Sequence, residues 1–132
     1  MVCLVVVRLA EGERFRVVAI RERGDTPGPL ERFLLAQGPG QQAKLFTAIR
    51  RFADRGPTYN AEQCKRLKGP AAALVELKVK PARLLGFYCP LNRGVLVLTH
   101  GFDKKSRETP MTEVERALDL RKEYLQWLRH GV

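Results

Sequence analysis

The chain has 132 residues, 45% of them hydrophobic and 29% charged, with a formal net charge of +10. That length fits a single domain over residues 1–132 burying about two-thirds of its unfolded surface, and that hydrophobic content excludes disorder across the whole chain. Three scattered cysteines without a C-x-x-C pair (Cys3, Cys64, Cys89) and two histidines (His100, His130) argue against a disulfide framework or a metal centre; a reducing cytoplasm, no cofactor and no metal are expected.

The opening run MVCLVVVRLA is too short to cross a bilayer and lacks the leader and cleavage site of a signal peptide. It reads instead as a buried first strand, and no membrane partner is expected. Cys3–Arg8 and Phe15–Ile20 are both β-branched and apolar, and Glu11-Gly12-Glu13 joins them as a tight hairpin. The Gly24–Pro29 stretch breaks this pattern, and Thr26 or Asp25 is a candidate cap for a short helix from about Pro29 to Ala36. Gly38-Pro39-Gly40 ends it. A second helix fits Gln41–Arg55, with Leu45, Ala48, Ile49 and Phe52 on one stripe, and Gly56-Pro57 stops it. The two make an αα-hairpin able to cover one face of a sheet.

Thr58–Pro70 reads as a polar, basic connector. Leu74–Lys80, Arg83–Cys89 and Val95–His100 follow as strands whose short links favour an antiparallel meander. Alternation puts Glu76, Lys78 and Lys80 on one face of the first of these and Val75, Leu77 and Val79 on the other. Gly101–Thr109 is expected to be a polar loop, with Thr109 capping a last helix over Met111–Leu128 that has Pro110 at its first position. The order β-β-α-α-β-β-β-α makes an α+β domain.

The charge is unevenly spread. Residues 1–60 carry ten Lys/Arg against six Asp/Glu (+4), residues 61–110 ten against four (+6), and residues 111–132 four against four (zero). A basic middle segment attracts polyanions, nucleic acid above all, through phosphate contacts and counterion release.

The ordered set Leu67-Lys68-Gly69, Val75-Glu76-Leu77-Lys78, Arg83 through Tyr88, and LTHGFDKKSRETP before a long helix resembles the RelE/HigB toxin superfamily, nearest its phage-derived, host-killing branch. The likeness spans roughly residues 26–128, and HGFDKKSRETP followed by Glu113, Ala117 and Tyr124 is its most specific part. The chain departs from the family pattern at Leu74-Val75 and at Ala82, where aromatics usually stand, and in having two strands ahead of the helical hairpin. The resemblance implies a RelE-like α+β fold with an antiparallel or mixed sheet. It further implies the toxin of a type II toxin–antitoxin system, a ribosome-dependent mRNA endonuclease (mRNA interferase) held by a helix-turn-helix antitoxin. Cleavage would proceed by attack of the ribose 2′-hydroxyl on the neighbouring phosphate, which DNA does not offer. Two other readings stay open: a non-catalytic or gyrase-targeting ParE-like toxin, and a phage accessory RNA-binding protein. A homo-oligomer is also left open.

On this resemblance Arg83 matches the family's strand arginine, whose planar guanidinium suits a phosphate. Lys78 matches a second basic position, able to stabilise an anion or, with its pKa lowered by neighbouring cations, to act as a base. Glu76 falls where relatives carry lysine and is expected to orient a cation. Lys104 and Lys105 fall in the loop where the family places catalytic or phosphate-gripping cations, with Arg107 beside them and Lys68 earlier as an RNA contact. His100 is a candidate general acid or base, its alternative being a hydrogen-bonded structural role at a strand end. Tyr88 and Phe87 alternate across one strand, so one of the two rings is expected on the basic surface as a stacking platform for a base. Tyr124 and Trp127 fit packing or antitoxin contact.

Overall fold

A computed structural model describes residues 3–57, 62–105 and 107–130. Thr58–Ala61 of the expected connector and Ser106 of the SRETP segment lie outside the described residues. The N-terminal apolar runs form β1 (Leu4–Glu11) and β2 (Arg16–Glu22), paired antiparallel from Leu4 opposite Glu22 to Glu11 opposite Arg16. Two helices follow, α1 (Pro29–Leu35) and α2 (Pro39–Arg55). Four strands then run β3 (Cys64–Arg66), β4 (Val75–Val79), β5 (Ala82–Cys89) and β6 (Asn92–Asp103), and α3 (Met111–Arg129) closes the chain.

The six strands form one mixed sheet in the order β1-β2-β6-β5-β4-β3. β3 to β6 pair antiparallel in sequence, whereas β2 lies parallel to β6, with Arg16 opposite Val95 and Ala19 opposite Leu98. The crossover through α1 and α2 makes that parallel contact possible. The α+β class, N-terminal hairpin, meander and C-terminal helix therefore match the sequence expectation.

Alternation along each strand divides the core in two. Val17, Ala19, Leu77, Leu84, Leu96 and Leu98 face Leu30, Leu34, Leu45, Ile49 and Phe52 of α1 and α2. Val18, Ile20, Leu85, Phe87 and Val97 face Val114, Ala117 and Tyr124 of α3 on the opposite side. Gly101 shows how tightly α1 sits on β6: a Cβ there would lie 2.4 Å from the Phe33 ring.

Several boundaries differ from the sequence reading. Neither Thr26 nor Asp25 caps α1; the Gly28 N–H donates to the Glu31 carboxylate at 3.0 Å instead. Gly28 is required where the chain passes β2, because a Cβ would lie 2.4 Å from the Ile20 carbonyl. α2 starts at Pro39, two residues early, since proline suits a first helical turn. The polar connector contains the extra strand β3, a three-residue edge. β6 runs on to Asp103, so Gly101, Phe102 and Asp103 belong to a strand and not a loop, held by pairing with Leu84, Arg83 and Ala82. Among the described residues no helix is long and apolar enough to cross a membrane.

Candidate nucleic-acid interface

The antiparallel register lines up side chains in rows on the α3 side of the sheet. Lys65, Glu76, Leu85 and His100 make one row across β3 to β6, and Lys78, Arg83 and Phe102 make the next. In the opposite direction the face turns apolar, through Leu74, Phe87 and Val97, and there α3 packs. One end of this face is therefore sealed by a helix, and the other is charged.

Glu76 is the centre of the charged end. It is wholly buried, although a carboxylate is rarely so unless paired. The Thr109 hydroxyl donates to its Oε1. Its Oε2 lies 3.8 Å from Arg83 Nε and 3.9 Å from Lys65 Nζ. Both Glu76 Oε2 and Arg83 Nε are buried and make no hydrogen bond among the described residues. Arg83 is itself 8% exposed, and its Nη1 donates to the Ala82 carbonyl at 2.8 Å. Thr109 was expected to cap α3; its hydroxyl serves the buried carboxylate instead, and Pro110 takes the N-cap position with extended backbone.

Lys78 stands directly opposite Arg83 and is half-buried. Lys104 follows the end of β6, its N–H bonded to the Pro81 carbonyl at 2.9 Å. Its ammonium is held below the usual lysine range, first by desolvation and then by the nearby charges of Lys65, Arg83 and Lys78, against the opposing pull of Glu76. Four cations thus gather around one buried carboxylate. Lys105, Arg107 and Lys68 are exposed outside this cluster.

His100 occupies a different position. It is wholly buried beneath the first turn of α3, with Nε2 3.0 Å from Glu113 Oε1 and Nδ1 3.1 Å from Thr99 Oγ1. Burial outweighs the carboxylate and pulls its pKa below the ordinary 6.5. A neutral ring that donates from Nε2 to Glu113 leaves Nδ1 as an acceptor, and the single Thr99 hydroxyl proton is shared between it and the Leu85 carbonyl, 3.1 Å from Oγ1. The geometry makes His100 a fastener between β6 and α3, on the sealed side of the charged row.

The sheet separates Tyr88 from the cluster. Its half-buried ring packs on the α1–α2 side against Phe15 at 5.8 Å and Phe52 at 6.3 Å. Phe87 is on the α3 side but buried, edge-on to Tyr124 at 5.4 Å. Of the sequence candidates, the structure brings Lys78, Arg83 and Lys104 together. It adds Lys65 and Thr109, which sequence reasoning missed; a pairing of Lys65 with Glu76 was legible only once β3 was recognised as a strand.

Residues 32–122, more than two-thirds of the chain, match the family model described as Phage derived protein Gp49-like (DUF891). No match was found among curated proteins.

Proposed function

Because the chain belongs to the Gp49-like family of phage-derived proteins, we propose that it is the toxin of a toxin–antitoxin pair and a RelE/HigB-type endonuclease that cuts mRNA on the ribosome. One observation supports this most: Lys65, Lys78, Arg83 and Lys104 converge at the charged end of a sheet face, beside a buried carboxylate that pairs with Lys65 and Arg83. Such an array suits a phosphodiester, whose transition state gathers negative charge that preorganised cations stabilise.

Arg83 and Lys78 grip the non-bridging oxygens. Lys104, whose amine is easier to deprotonate than an ordinary lysine, accepts the proton of the ribose 2′-hydroxyl. The new 2′-O–P bond forms as the P–O5′ bond breaks, and an ammonium of the cluster protonates the departing 5′-oxygen. The products are a 2′,3′-cyclic phosphate and a 5′-hydroxyl. Glu76 takes no part in proton transfer; it holds Arg83 and Lys65 in place. A helix-turn-helix antitoxin silences the toxin by covering the same cations.

The test is induction of the protein without an antitoxin, with mapping of message ends. Growth arrest with cuts in translated messages, lost in Arg83→Ala, is expected. Growth and intact message with folded wild-type protein overturn the proposal. Arrest with intact message and stalled replication would instead favour a gyrase-directed toxin.

A further inference from the structure

On the α1–α2 side of the sheet, beside its β3 edge, lies an open cavity of about 460 Å³. Arg66 and Arg93 supply its charge, Tyr88 supplies a ring, and no acidic side chain is found among its described lining residues. Tyr88 is held in position from behind by Phe15, which packs in turn on Phe52 at 5.0 Å, so its orientation is fixed before any ligand arrives. Arg66 Nε donates to the Ala72 carbonyl at 3.2 Å, which anchors that guanidinium at the rim. Arg66 also lies near enough to Tyr88 to oppose the upward shift that burial gives the phenol.

An aromatic face flanked by arginines matches the two parts of a nucleotide, a π-surface and a phosphate. The location adds a second argument. β3 is the last strand of the sheet and only three residues long, and its neighbours Lys65 and Arg66 point to opposite faces. Lys65 reaches Glu76 in the cation cluster on one side, and the same strand walls the cavity on the other. A single strand of RNA can bend around so short an edge; a stiff duplex cannot.

We propose that this cavity is a nucleotide subsite, in which a base of single-stranded RNA next to the cut linkage lies against Tyr88 and its phosphate against Arg66 and Arg93. The inference rests on the ribonuclease reading above for its substrate. It gives the enzyme a grip on RNA outside the cleavage centre, and a base-contacting surface through which sequence preference can arise.

The experiment measures binding of the full chain to a non-cleavable 2′-O-methyl RNA of about eight nucleotides, within the usual range for single-strand sites, by fluorescence anisotropy at several salt concentrations. Arg66 and Arg93 are exposed, so the double variant Arg66→Ala/Arg93→Ala tests the site without threatening the core. It should bind at least about tenfold more weakly, with a salt slope smaller by about 0.7 for the one lost phosphate contact. Tyr88→Leu should lose about tenfold in affinity with an unchanged salt slope, and Tyr88→Phe should bind as wild type. Wild-type binding by the double variant overturns the proposal; so does competition by inorganic phosphate equal to that by adenosine monophosphate. Cleavage by wild type but not by Arg83→Ala, with pocket variants unaffected in binding and cutting, refutes the subsite alone. Weakened RNA binding by the pocket variants, with no cleavage by wild type, refutes the ribonuclease reading and keeps the subsite.

Discussion

Glu76 and Arg83 can be tested as one unit. Both are buried, 0% and 8% exposed, with charged atoms 3.8 Å apart. At an effective dielectric constant of about 20, two unit charges at that distance attract by roughly 4 kcal/mol before desolvation is counted. Removing one partner leaves the other buried and less compensated, which costs about 3–5 kcal/mol for an isolated pair. Glu76 keeps Thr109 and Lys65 when Arg83 is lost, so Arg83→Met should fall at or below the lower end. Glu76→Gln should cost a similar amount, by leaving Arg83 and Lys65 to repel. The double variant should cost far less than the sum, with a coupling of about 1–3 kcal/mol. Urea unfolding of the four proteins at neutral pH measures this directly. Additive single effects would show that Glu76 does not hold Arg83, and the account of the site would lose its centre.

Stability should also depend on His100. Its folded pKa is depressed, so an unfolded chain binds a proton near 6.5 that the native state refuses. Stability is therefore full above about pH 6.5 and declines as pH falls below it toward the folded value. His100→Gln should flatten that decline in thermal melts; an unchanged pH profile would contradict the buried, neutral ring. If Lys104 is the base, single-turnover cleavage should rise about tenfold per pH unit below its pKa, and Lys104→Ala should abolish the rise. A profile identical in the variant would assign the proton elsewhere. Gly101→Ala should destabilise by about 1–3 kcal/mol by crowding Phe33, seen as a lower Tm without loss of secondary structure; an unchanged Tm would show that α1 yields freely.

The runs LVVV and RVVAI were legible as strands because β-branched residues recur there, and VELKV displayed its two faces through strict alternation. The LKVKPAR and YCPLN turns fixed the meander by their shortness. What escaped notice had weak local signals. β3 is Cys-Lys-Arg, too short and too polar to differ from a loop until β4 pairs with it. β6 continues past His100 through Gly-Phe-Asp because β5 extends beside it, a fact of tertiary pairing. Thr109 has the chemistry of a cap, and the demand of a buried carboxylate across the sheet overrode it. The clustering of Lys78, Arg83 and Lys104 followed from strand order, but which side of the sheet held Tyr88 and how deeply α3 buried His100 depended on helix placement.

The measurement that bears most directly on the account is cleavage of a defined message on translating ribosomes by purified wild type, Arg83→Ala and Lys104→Ala, each first shown to be folded. Wild type should leave 2′,3′-cyclic phosphate and 5′-hydroxyl ends, and each variant should cut at least about a hundredfold more slowly, as expected when a charge-stabilising or proton-transfer group is removed. Folded wild-type protein that leaves the message intact, or variants that cut as fast as wild type, would contradict it.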